Sequence, residues 1–378
     1  MISESEALAA ILPALNPLAS RRSALSLALG DFARTDLYAP LPLPQFDNSA
    51  MDGYAVMAAD CRLGRRLRVV GEQPAGPDRQ LRIAPGEAVR IFTGAPIPAG
   101  ADAILIQEEA ERDGENVVVR GAVAAGEYVR KRGSDLATGQ KIVTRGRRLN
   151  ASTLALLAAQ GFRDVETGTP PRVAIVSTGD ELVDTDEALK PGQIYDSNSV
   201  FLKALVHSCG ATVALAERCR DNLDATEAIL RRGVGNDALI ISGGVSVGEL
   251  DLVKPVLIRI GAKLDVWRVA VKPGKPFLFG RADGCAIFGL PGNPVSAFVT
   301  FLLFVRPALL KMAGAGESEL SLPTARVRLA CDLANSGDRA HYIRGRISGE
   351  DFEPVGRQES HALYSLSRSN ALLRLGAG

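Results

Sequence analysis

The chain has 378 residues, of which 46% are hydrophobic and 23% are charged, so it can bury several cores and we expect roughly two to four domains. Lys and Arg number 44 and Asp and Glu number 43, a net charge of +1. This balance gives no general attraction to nucleic acid or to an acidic membrane surface, and we expect neither partner.

Two further features concern location. The N-terminus lacks a basic segment followed by an apolar one, and no apolar run approaches the ~18 residues of a membrane span. The longest run, 297–310, is interrupted by Arg306 and Pro307. We therefore expect a soluble, cytoplasmic protein.

The cysteines predict core positions and no metal-thiolate site. There are five of them, without a CxxC pair, and they are scattered through apolar stretches. We expect reduced, buried thiols at Cys61, Cys209, Cys219, Cys285 and Cys331.

The N-terminal third predicts an insertion. Ser3 and Glu6 have the spacing of a capping box, so a first helix should run from about Glu4 to Leu15. Prolines make 38–46 an extended connector. Short β-rich runs alternate with Gly/Pro turns from Leu67 to Val143, which is typical of a small β module. Asn150 should then cap a helix over 151–160, so 46–144 is predicted to be inserted into a domain built from both flanking pieces.

From 172 to 312 the pattern changes to alternating strands and helices. The predicted strands are 172–177, 213–217, 237–242 and 285–290, and the predicted helices are 198–208, 222–232, 251–260 and 294–311. This alternation predicts a parallel sheet with helices on both faces. Short β patterns return after 316 and continue to the end of the chain.

Three loops should meet at the carboxyl ends of these strands, where ligands bind in such sheets. Their sequences are TGDE (178–181), GGVSVGELD (243–251) and LPGNPVS (290–296). Glycines allow backbone N–H groups to approach a phosphate, and carboxylates suit Mg²⁺. The candidate oxygen ligands are Asp180, Glu181, Glu249 and Asp251. The plainer alternative, that these are tight turns and helix caps, remains open for any one loop.

Several common sites are excluded. No Walker A sequence occurs, and the GxGxxA letters at 233–238 precede a strand where the dinucleotide motif would follow one. The three histidines have no metal-binding or triad spacing.

The insertion carries its own polar segments, at 47–56, 91–98 and 128–135. In the third, three consecutive cations precede an aspartate. A solvated hairpin face is the default interpretation, and an anion-binding patch is the alternative.

These segments resemble the molybdopterin molybdenumtransferase family, which includes the E-domain of gephyrin. The matching motifs are DNSAMDGYAV (47–56), IFTGAPIPAGADAILIQEE (91–109), VRKRGSDLATGQ (129–140), VAIVSTGDELV (173–183), GQIYDSNS (192–199), SGGVSVGELD (242–251), VKPGKPFLFG (271–280) and GLPGNPVSAF (289–298). SGGVSVGELD and LPGNPVS are shared in part with single-domain molybdopterin adenylyltransferases. The motifs of the insertion distinguish the molybdenumtransferase family from those enzymes.

The resemblance implies an α/β multidomain fold and an L-shaped homodimer. The expected domains are a doubly wound domain of the molybdopterin-binding type (171–315), a linking α+β domain (1–45 and 145–170) that contains a β-rich insertion (46–144), and a small C-terminal β domain (316–378). Family members usually continue beyond the point where this chain ends, so we expect that last domain to be smaller here.

The resemblance also implies the reaction, in which adenylylated molybdopterin and molybdate give molybdenum cofactor and AMP with Mg²⁺. The catalytic candidates that it implies are Asp52, Thr93, Asp135, Glu181 and Asp251, with Glu181 and Asp251 holding the metal. The substrate-binding candidates are Gly243, Gly244, Ser246, Gly248, Lys272, Lys275, Pro291, Gly292, Asn293 and Pro294. The molybdopterin adenylyltransferase and acceptor molybdoenzymes are further candidate partners.

Two other functions compete with this one. Adenylylation of molybdopterin with ATP would suit the α/β domain alone but would leave the insertion unexplained. A non-catalytic scaffold is the third hypothesis, because the family's neuronal relative also clusters receptors.

Overall fold

The computed structural model describes residues 1–220, 222–244 and 252–378. They form two compact units, one made of Met1–Thr35 and Thr144–Gly378 and the other of Asp36–Val143. The chain therefore leaves the larger unit once and returns to it. The sequence-based boundary of the insertion at residue 46 falls inside the smaller unit.

The larger unit is built around a six-stranded sheet. In spatial order its strands are Thr212–Cys219, Arg172–Thr178, Ala238–Ser242, Cys285–Leu290, Pro276–Ala282 and Lys263–Arg268. Successive side chains point to opposite faces, so Ile175 belongs to one hydrophobic core and Val176 to the other. The sheet is covered on both faces, as the alternating sequence pattern predicts.

The predicted parallel sheet is confirmed for its four predicted strands, and the structure adds two edge strands that were not predicted. The first four strands are parallel, but Pro276–Ala282 runs antiparallel to both of its neighbours. Asp283 and Gly284 connect it to the next strand with φ of 49° and 84°. Two consecutive positive φ values belong to a tight hairpin turn, and the Asp-Gly pair in the sequence favours this turn.

Several helices begin where a side chain caps them. Ser3 forms the predicted capping box with Glu6, and Asn150 and Asn222 accept backbone N–H groups of the turns that follow. The first helix ends at Ile11 and not at Leu15, because Pro13 cannot donate a helical hydrogen bond. The helices of the larger unit are Glu4–Ile11, Ala151–Ala159, Ser197–Ser208, Leu223–Gly233, Val253–Arg259, Pro294–Thr300, Arg306–Met312, Glu317–Leu320 and Leu363–Ser367.

A π-helical turn, Phe301–Val305, joins two of these helices into one continuous helix, Pro294–Met312. The wider turn precedes Pro307, whose ring would clash with the regular helix before it. The helix predicted over 294–311 therefore agrees with the structure to within one residue, although it contains Arg306 and Pro307. This helix is long and apolar enough to cross a membrane by length and composition, but 78% of its most apolar window is buried inside the fold.

The C-terminal residues form a second sheet that also recruits Val271–Lys272. Its remaining strands are Arg328–Leu329, Ala340–Ser348, Asp351–Pro354 and Ala371–Leu375. Two short pairs complete the larger unit: Ser20–Ala24 with Asp164–Gly168, and Leu182–Val183 with Ile194–Tyr195.

The smaller unit is a β module, as predicted. Its six-stranded sheet has the spatial order Ala103–Ile106, Gly53–Val56, Glu87–Ile91, Arg66–Gln73, Asn116–Val119 and Ala110–Asp113. Two short pairs lie beside it: Leu37–Tyr38 with Lys141–Val143, and Asn48–Ser49 with Val129–Arg130. Separate hydrophobic clusters cover the two faces of the sheet, so the module has its own core.

Candidate active site

A crevice in the larger unit follows from the order of its strands. Arg172–Thr178 and Ala238–Ser242 are neighbours in the sheet. The helix after the first strand, Ser197–Ser208, packs on one face, and the helix after the second, Val253–Arg259, packs on the other. Because the two helices lie on opposite faces, the strand order switches here, and at such a switch doubly wound folds form a ligand-binding crevice beyond the carboxyl ends of the strands.

The glycines at this crevice are required by close packing. A Cβ on Gly243 would lie 2.8 Å from the Thr178 carbonyl oxygen, and one on Gly244 would lie 2.7 Å from a Val253 methyl group. Both residues have positive φ, at 89° and 61°. The Gly243 N–H donates to the Leu290 carbonyl at 3.1 Å, which brings the proline loop alongside.

The structure therefore places three predicted residues together, namely Gly243, Gly244 and Gly292, since a Cβ on Gly292 would lie 3.7 Å from the Gly243 Cα. Three further candidates, Ser246, Gly248 and Asp251, lie outside the described residues, as does Glu249.

Asn198 is a residue of this crevice that the sequence analysis missed. Its Nδ2 donates to the Gly292 carbonyl at 2.7 Å and to Ser242 Oγ at 2.9 Å. A carbonyl oxygen can only accept, so the Gly292 contact fixes which amide atom is the nitrogen. Asn198 Oδ1 is buried and has no partner among the described residues, and the same holds for Ser177 Oγ. The crevice thus contains acceptor groups that a ligand can satisfy.

A signal for Asn198 was present in the sequence. The segment DSNS places Asp196 as the N-cap of a helix, where it accepts from the Ser199 N–H at 2.9 Å. That cap puts Asn198 in the first helical turn, beside the loops that follow the strands.

Glu181 lies in the loop that follows Thr178. Gly179 has φ of 143° and a Cβ there would lie 2.3 Å from Glu181 Oε2, so the carboxylate folds back over Gly179. The Gly179 N–H donates to the Cys219 carbonyl at 3.3 Å, which keeps the loop against the neighbouring strand. Glu181 is exposed and presents hard oxygen atoms.

This geometry fits a magnesium ion held jointly with a substrate. No group of three potential metal ligands occurs within 1–220, 222–244 and 252–378, so the described residues alone form no protein cage. Mg²⁺ usually takes only one or two carboxylates and completes its shell with water and phosphate oxygens. Glu181 is one such carboxylate, and the second candidate, Asp251, lies outside the described residues.

The predicted proline loop begins the long helix. Pro291 is buried, Gly292 and Asn293 are exposed, and Pro294 is the first helical residue. Pro is favoured at the first helical position because the N–H group that it lacks would have no partner within the helix. The next N–H, from Val295, already donates to the Ser360 carbonyl at 3.1 Å, so part of the C-terminal segment covers this helix start.

The two predicted lysines flank a tight turn beside the same helix. Lys272 and Lys275 are exposed, and the peptide between Lys272 and Pro273 is cis. A Cβ on Gly274 would lie 2.7 Å from a Thr300 methyl group, so the turn lies directly on the helix surface. Val271–Lys272 pairs with Ala340–His341, which links the lysines to the C-terminal sheet.

Arg344, on the same C-terminal strand, was also missed. It is fully buried, and its Nη2 donates to the Arg357 carbonyl at 2.6 Å. Its Nε and Nη1 have no partner in the described part of the chain. Burial lowers the pKa of the Arg344 guanidinium, opposed by attraction to Glu359. An incompletely paired cation in the interior is costly and marks an anion-binding position.

The surroundings of His341, on the same strand, are positively charged. Burial lowers the pKa of His341, and the nearby charges of Lys272, Arg344 and Arg339 lower it further. The sequence offered no clear clue, because the strand Ala340–Ser348 contains two arginines, Arg344 and Arg346, and only the first is buried.

The smaller unit contains the other candidates. Asp52 Oδ1 accepts from the Thr93 backbone N–H at 2.7 Å and from Thr93 Oγ at 2.8 Å. These two bonds lower the pKa of Asp52, and Arg90 adds an attraction. The two residues, separated in the sequence, form one polar pair.

The cationic segment of this unit is tied to the first polar segment. Asp47 accepts from the Arg132 backbone N–H at 2.7 Å and from Lys131 Nζ at 3.0 Å, and both contacts lower its pKa. Asp135 is exposed, and its N–H donates to the Leu43 carbonyl at 2.9 Å. The three polar segments of the insertion are therefore adjacent, and part of the positive charge is neutralised internally.

Three family models match the chain. They describe the MoeA N-terminal region (domains I and II) at residues 2–161, a probable molybdopterin-binding domain at 174–311 and the MoeA C-terminal region (domain IV) at 326–378. Together they cover both units.

Individual proteins match over nearly the whole chain. A molybdopterin molybdenumtransferase of Nostoc sp. is 38% identical over 365 residues, which are 93% of this chain and 84% of the relative. One from Haemophilus influenzae is 35% identical over 349 residues, 90% of this chain and 85% of that protein. The crystal structure of a molybdopterin biosynthesis MoeA protein from Pyrococcus horikoshii is 30% identical, covers 99% of this chain and 94% of its own, and has a TM-score of 0.80. The chain therefore belongs to the molybdopterin molybdenumtransferase family.

Proposed function

We propose that this chain transfers molybdenum from molybdate to adenylylated molybdopterin, releasing AMP and giving the molybdenum cofactor. The observation that carries the proposal is Arg344, a buried cation with two donors that no described residue satisfies. A tetrahedral oxyanion supplies the missing charge and acceptors, and molybdate is such an anion.

The neighbours of Arg344 support the same substrate. Lys272 and Arg344 both lie close enough to His341 to lower its pKa, and Lys275 lies on the same turn as Lys272, so one buried and two exposed cations lie in this region. In this assignment Arg344 orients the oxyanion, and the lysines attract it and neutralise it.

The thiols of the protein are not suited to hold molybdenum. Burial raises the pKa of Cys61 to about 11 and that of Cys285 to about 12, so both are protonated at neutral pH. Cys209 and Cys219 are also buried, while Cys331 is exposed, contrary to our expectation of five core thiols. We assign the soft sulfur ligands to the dithiolene of the substrate.

Glu181, with Asp251, would hold Mg²⁺ against the phosphates of the substrate. When bound, the ion would polarise the phosphoanhydride and stabilise the departing AMP. Glu181 would place one hard oxygen at the rim of the crevice, and Gly243, Gly244 and Gly292 would let the substrate approach the strand ends closely.

Asp52, Thr93 and Asp135 would act from the insertion. Thr93 keeps Asp52 ionised and occupies its Oδ1, so we assign the contact with substrate to Oδ2. An ionised carboxylate fixed by two donors is suited to accept a hydrogen bond from the pterin.

We further propose a homodimer in which the insertion of one chain and the α/β domain of the other share a site. Leu27 and Leu29 are 75% and 65% exposed, and the Leu/Ala-rich helix Ala151–Ala159 beside them is largely exposed. An exposed apolar surface of this kind is typical of a subunit interface.

Subunit complementation tests the shared site. Asp52→Ala chains and Asp251→Ala chains should each be inactive, and after subunit exchange each heterodimer should have one intact site. Half of the dimers are then mixed, so recovery should approach about a quarter of wild-type activity. No recovery after verified exchange would place each site within one chain.

The test of the reaction is AMP release from adenylylated molybdopterin in the presence of Mg²⁺, with and without molybdate. We expect release to depend on molybdate and the product to reconstitute a cofactor-free molybdoenzyme. Equal release without molybdate would contradict metal transfer. Pyrophosphate release from ATP and unmodified molybdopterin would favour the alternative, molybdopterin adenylyltransferase.

That alternative leaves the smaller unit unused, although the MoeA N-terminal model matches residues 2–161. Turnover in either assay would eliminate a purely scaffolding role. A cytoplasmic location and transient contacts with the molybdopterin adenylyltransferase and acceptor molybdoenzymes complete the proposal, because the product must pass between proteins.

A further inference from the structure

The position of Glu181 depends on the segment that follows it. Residues 182–195 leave the crevice and return, because Leu182–Val183 pairs in parallel with Ile194–Tyr195. The Ile194 N–H donates to the Glu181 carbonyl at 2.9 Å, and the Asp196 N–H donates to the Val183 carbonyl at 3.0 Å. The segment therefore joins Glu181 to the capped helix that carries Asn198.

One side chain from the sheet closes this segment. Arg218 lies opposite Ser177 on the neighbouring strand. Its Nη1 donates to the Leu182 carbonyl at 2.5 Å, and its Nη2 donates to Asp184 at 2.6 Å and to Glu187 at 2.9 Å. The side chain is 28% exposed, so the sheet holds its stem while the planar guanidinium spans the segment.

The charges make this arrangement dependent on the arginine. Asp184 and Glu187 both contact the same Nη2 atom, so without it the two carboxylates would lose the cation that they share. Glu187 would keep the hydrogen bond from the Asp184 backbone N–H and the attraction of Lys190. The Leu182 carbonyl would lose its donor as well. We therefore expect Leu182, the residue next to Glu181, to shift when Arg218 is removed.

We propose that Arg218 is a positioning residue that holds the Glu181 carboxylate in place for Mg²⁺. The inference rests on the proposed function, in which Glu181 is a metal ligand. Arg218 acts through the backbone of Leu182, one residue beyond Glu181, and not by a contact with the metal or the substrate.

Two measurements that require no turnover test this role. Mn²⁺ binding in the presence of AMP, followed by water proton relaxation, reports the metal site. Cleavage after Glu187 by a glutamate-specific endoproteinase reports the shape of the segment. In Arg218→Gln we expect Mn²⁺ affinity to fall about ten-fold and cleavage to accelerate about ten-fold, because two ion pairs and one charged hydrogen bond are lost. Arg218→Lys, which keeps the charge but not the fork, should lie between.

Two control variants separate the causes. Glu181→Gln should lose Mn²⁺ binding while cleavage after Glu187 stays at the wild-type rate. Arg232→Gln removes a comparable exposed arginine that is paired with Glu217, and it should change neither measurement. Unchanged Mn²⁺ affinity in Arg218→Gln would overturn the inference, whether or not cleavage accelerates.

Failure of the proposed function gives a different result. A wild-type chain that binds Mn²⁺ through Glu181 but releases no AMP would refute the proposed reaction and leave the role of Arg218 standing. A wild-type chain that does not bind Mn²⁺ would refute the metal site and the inference together.

Discussion

The two units treat their candidate polar groups in opposite ways. In Asp36–Val143 the carboxylate of Asp52 is bonded twice by Thr93, and Asp47 is bonded by Lys131 and Arg132. In the larger unit, Arg344 and Asn198 keep buried atoms without partners among the described residues. The two aspartates of the smaller unit are thus bonded within the protein, although Asn48 Oδ1 in that unit is also buried without a described partner. For Arg344 and Asn198 we propose that a ligand supplies the missing partners. We therefore expect binding energy to come mainly from the larger unit and orientation to come from the insertion.

The largest expected effect separates binding from stability at Arg344. Arg344→Met keeps the length of the side chain but removes its charge and donors. We expect the rate of molybdate-dependent AMP release to fall about a hundred-fold, because a buried charge that pairs with a bound ligand contributes strongly to its binding. The free energy of unfolding should change by about 1 kcal/mol or less, because a buried charge without full pairing contributes little to stability.

The matched control for that experiment is Arg346→Met, two residues along the same strand and exposed. It should leave both AMP release and thermal unfolding near wild type. A collapse of the melting temperature in Arg344→Met, with normal activity per folded molecule, would make Arg344 structural and would remove the contrast between the units.

A smaller effect is expected at the crevice glycines. Gly244→Ala would place a methyl group 2.7 Å from Val253 at a positive φ, so it should cost about 2 kcal/mol of stability and about ten-fold in AMP release. Gly261→Ala also has a positive φ, at 88°, but its Cβ would meet nothing within 4 Å. Chemical denaturation of both variants isolates the packing cost, and equal losses would show that the crevice is not closely packed.

The smallest effect concerns Asp52. Because its pKa is lowered in the folded chain, its interaction with Thr93 stabilises the fold above the ordinary aspartate pKa and is lost as the pH falls through the lowered value. Thr93→Val removes the hydroxyl but keeps the backbone N–H, so the pKa of Asp52 should rise part of the way. Carbon NMR of the Asp52 carboxyl group during an acid titration measures this pKa. Thr93→Ser should restore the wild-type value, and an unshifted Thr93→Val would show that the hydroxyl does not contribute.

Local patterns predicted much of this fold. Cys285–Leu290 has the predicted bounds, and the caps at Ser3 and Asn150 occur as expected, because these features depend on neighbouring residues. The antiparallel edge was not predicted, because the hydrophobic pattern of a buried strand does not indicate the direction in which the strand runs. Only the Asp283-Gly284 turn indicates the antiparallel pairing.

The candidate site was predictable only in part. The loops containing Gly243 and Gly292 follow strands, so their meeting follows from the sheet itself. Arg344 and Asn198 could not be found in this way. Arg344 is significant because distant residues bury it, and Asn198 because it contacts a carbonyl group 94 positions further along the chain. Such properties arise from long-range packing, which spacing along the sequence does not encode.

The paired ends of the insertion have a consequence for how the molecule assembles and evolves. Leu37 pairs with Val143, and Ala33 is bonded to Gly146 and Arg147, so the outgoing and returning chain run side by side. A module whose first and last residues are adjacent can fold on its own. Once it has folded, it holds the two flanking segments close together, so their later pairing costs less chain entropy. We expect the insertion to fold first and Met1–Thr35 to join its partner segments afterwards. The same closure means that the module could be gained, lost or exchanged by recombination without breaking the sheet that receives it.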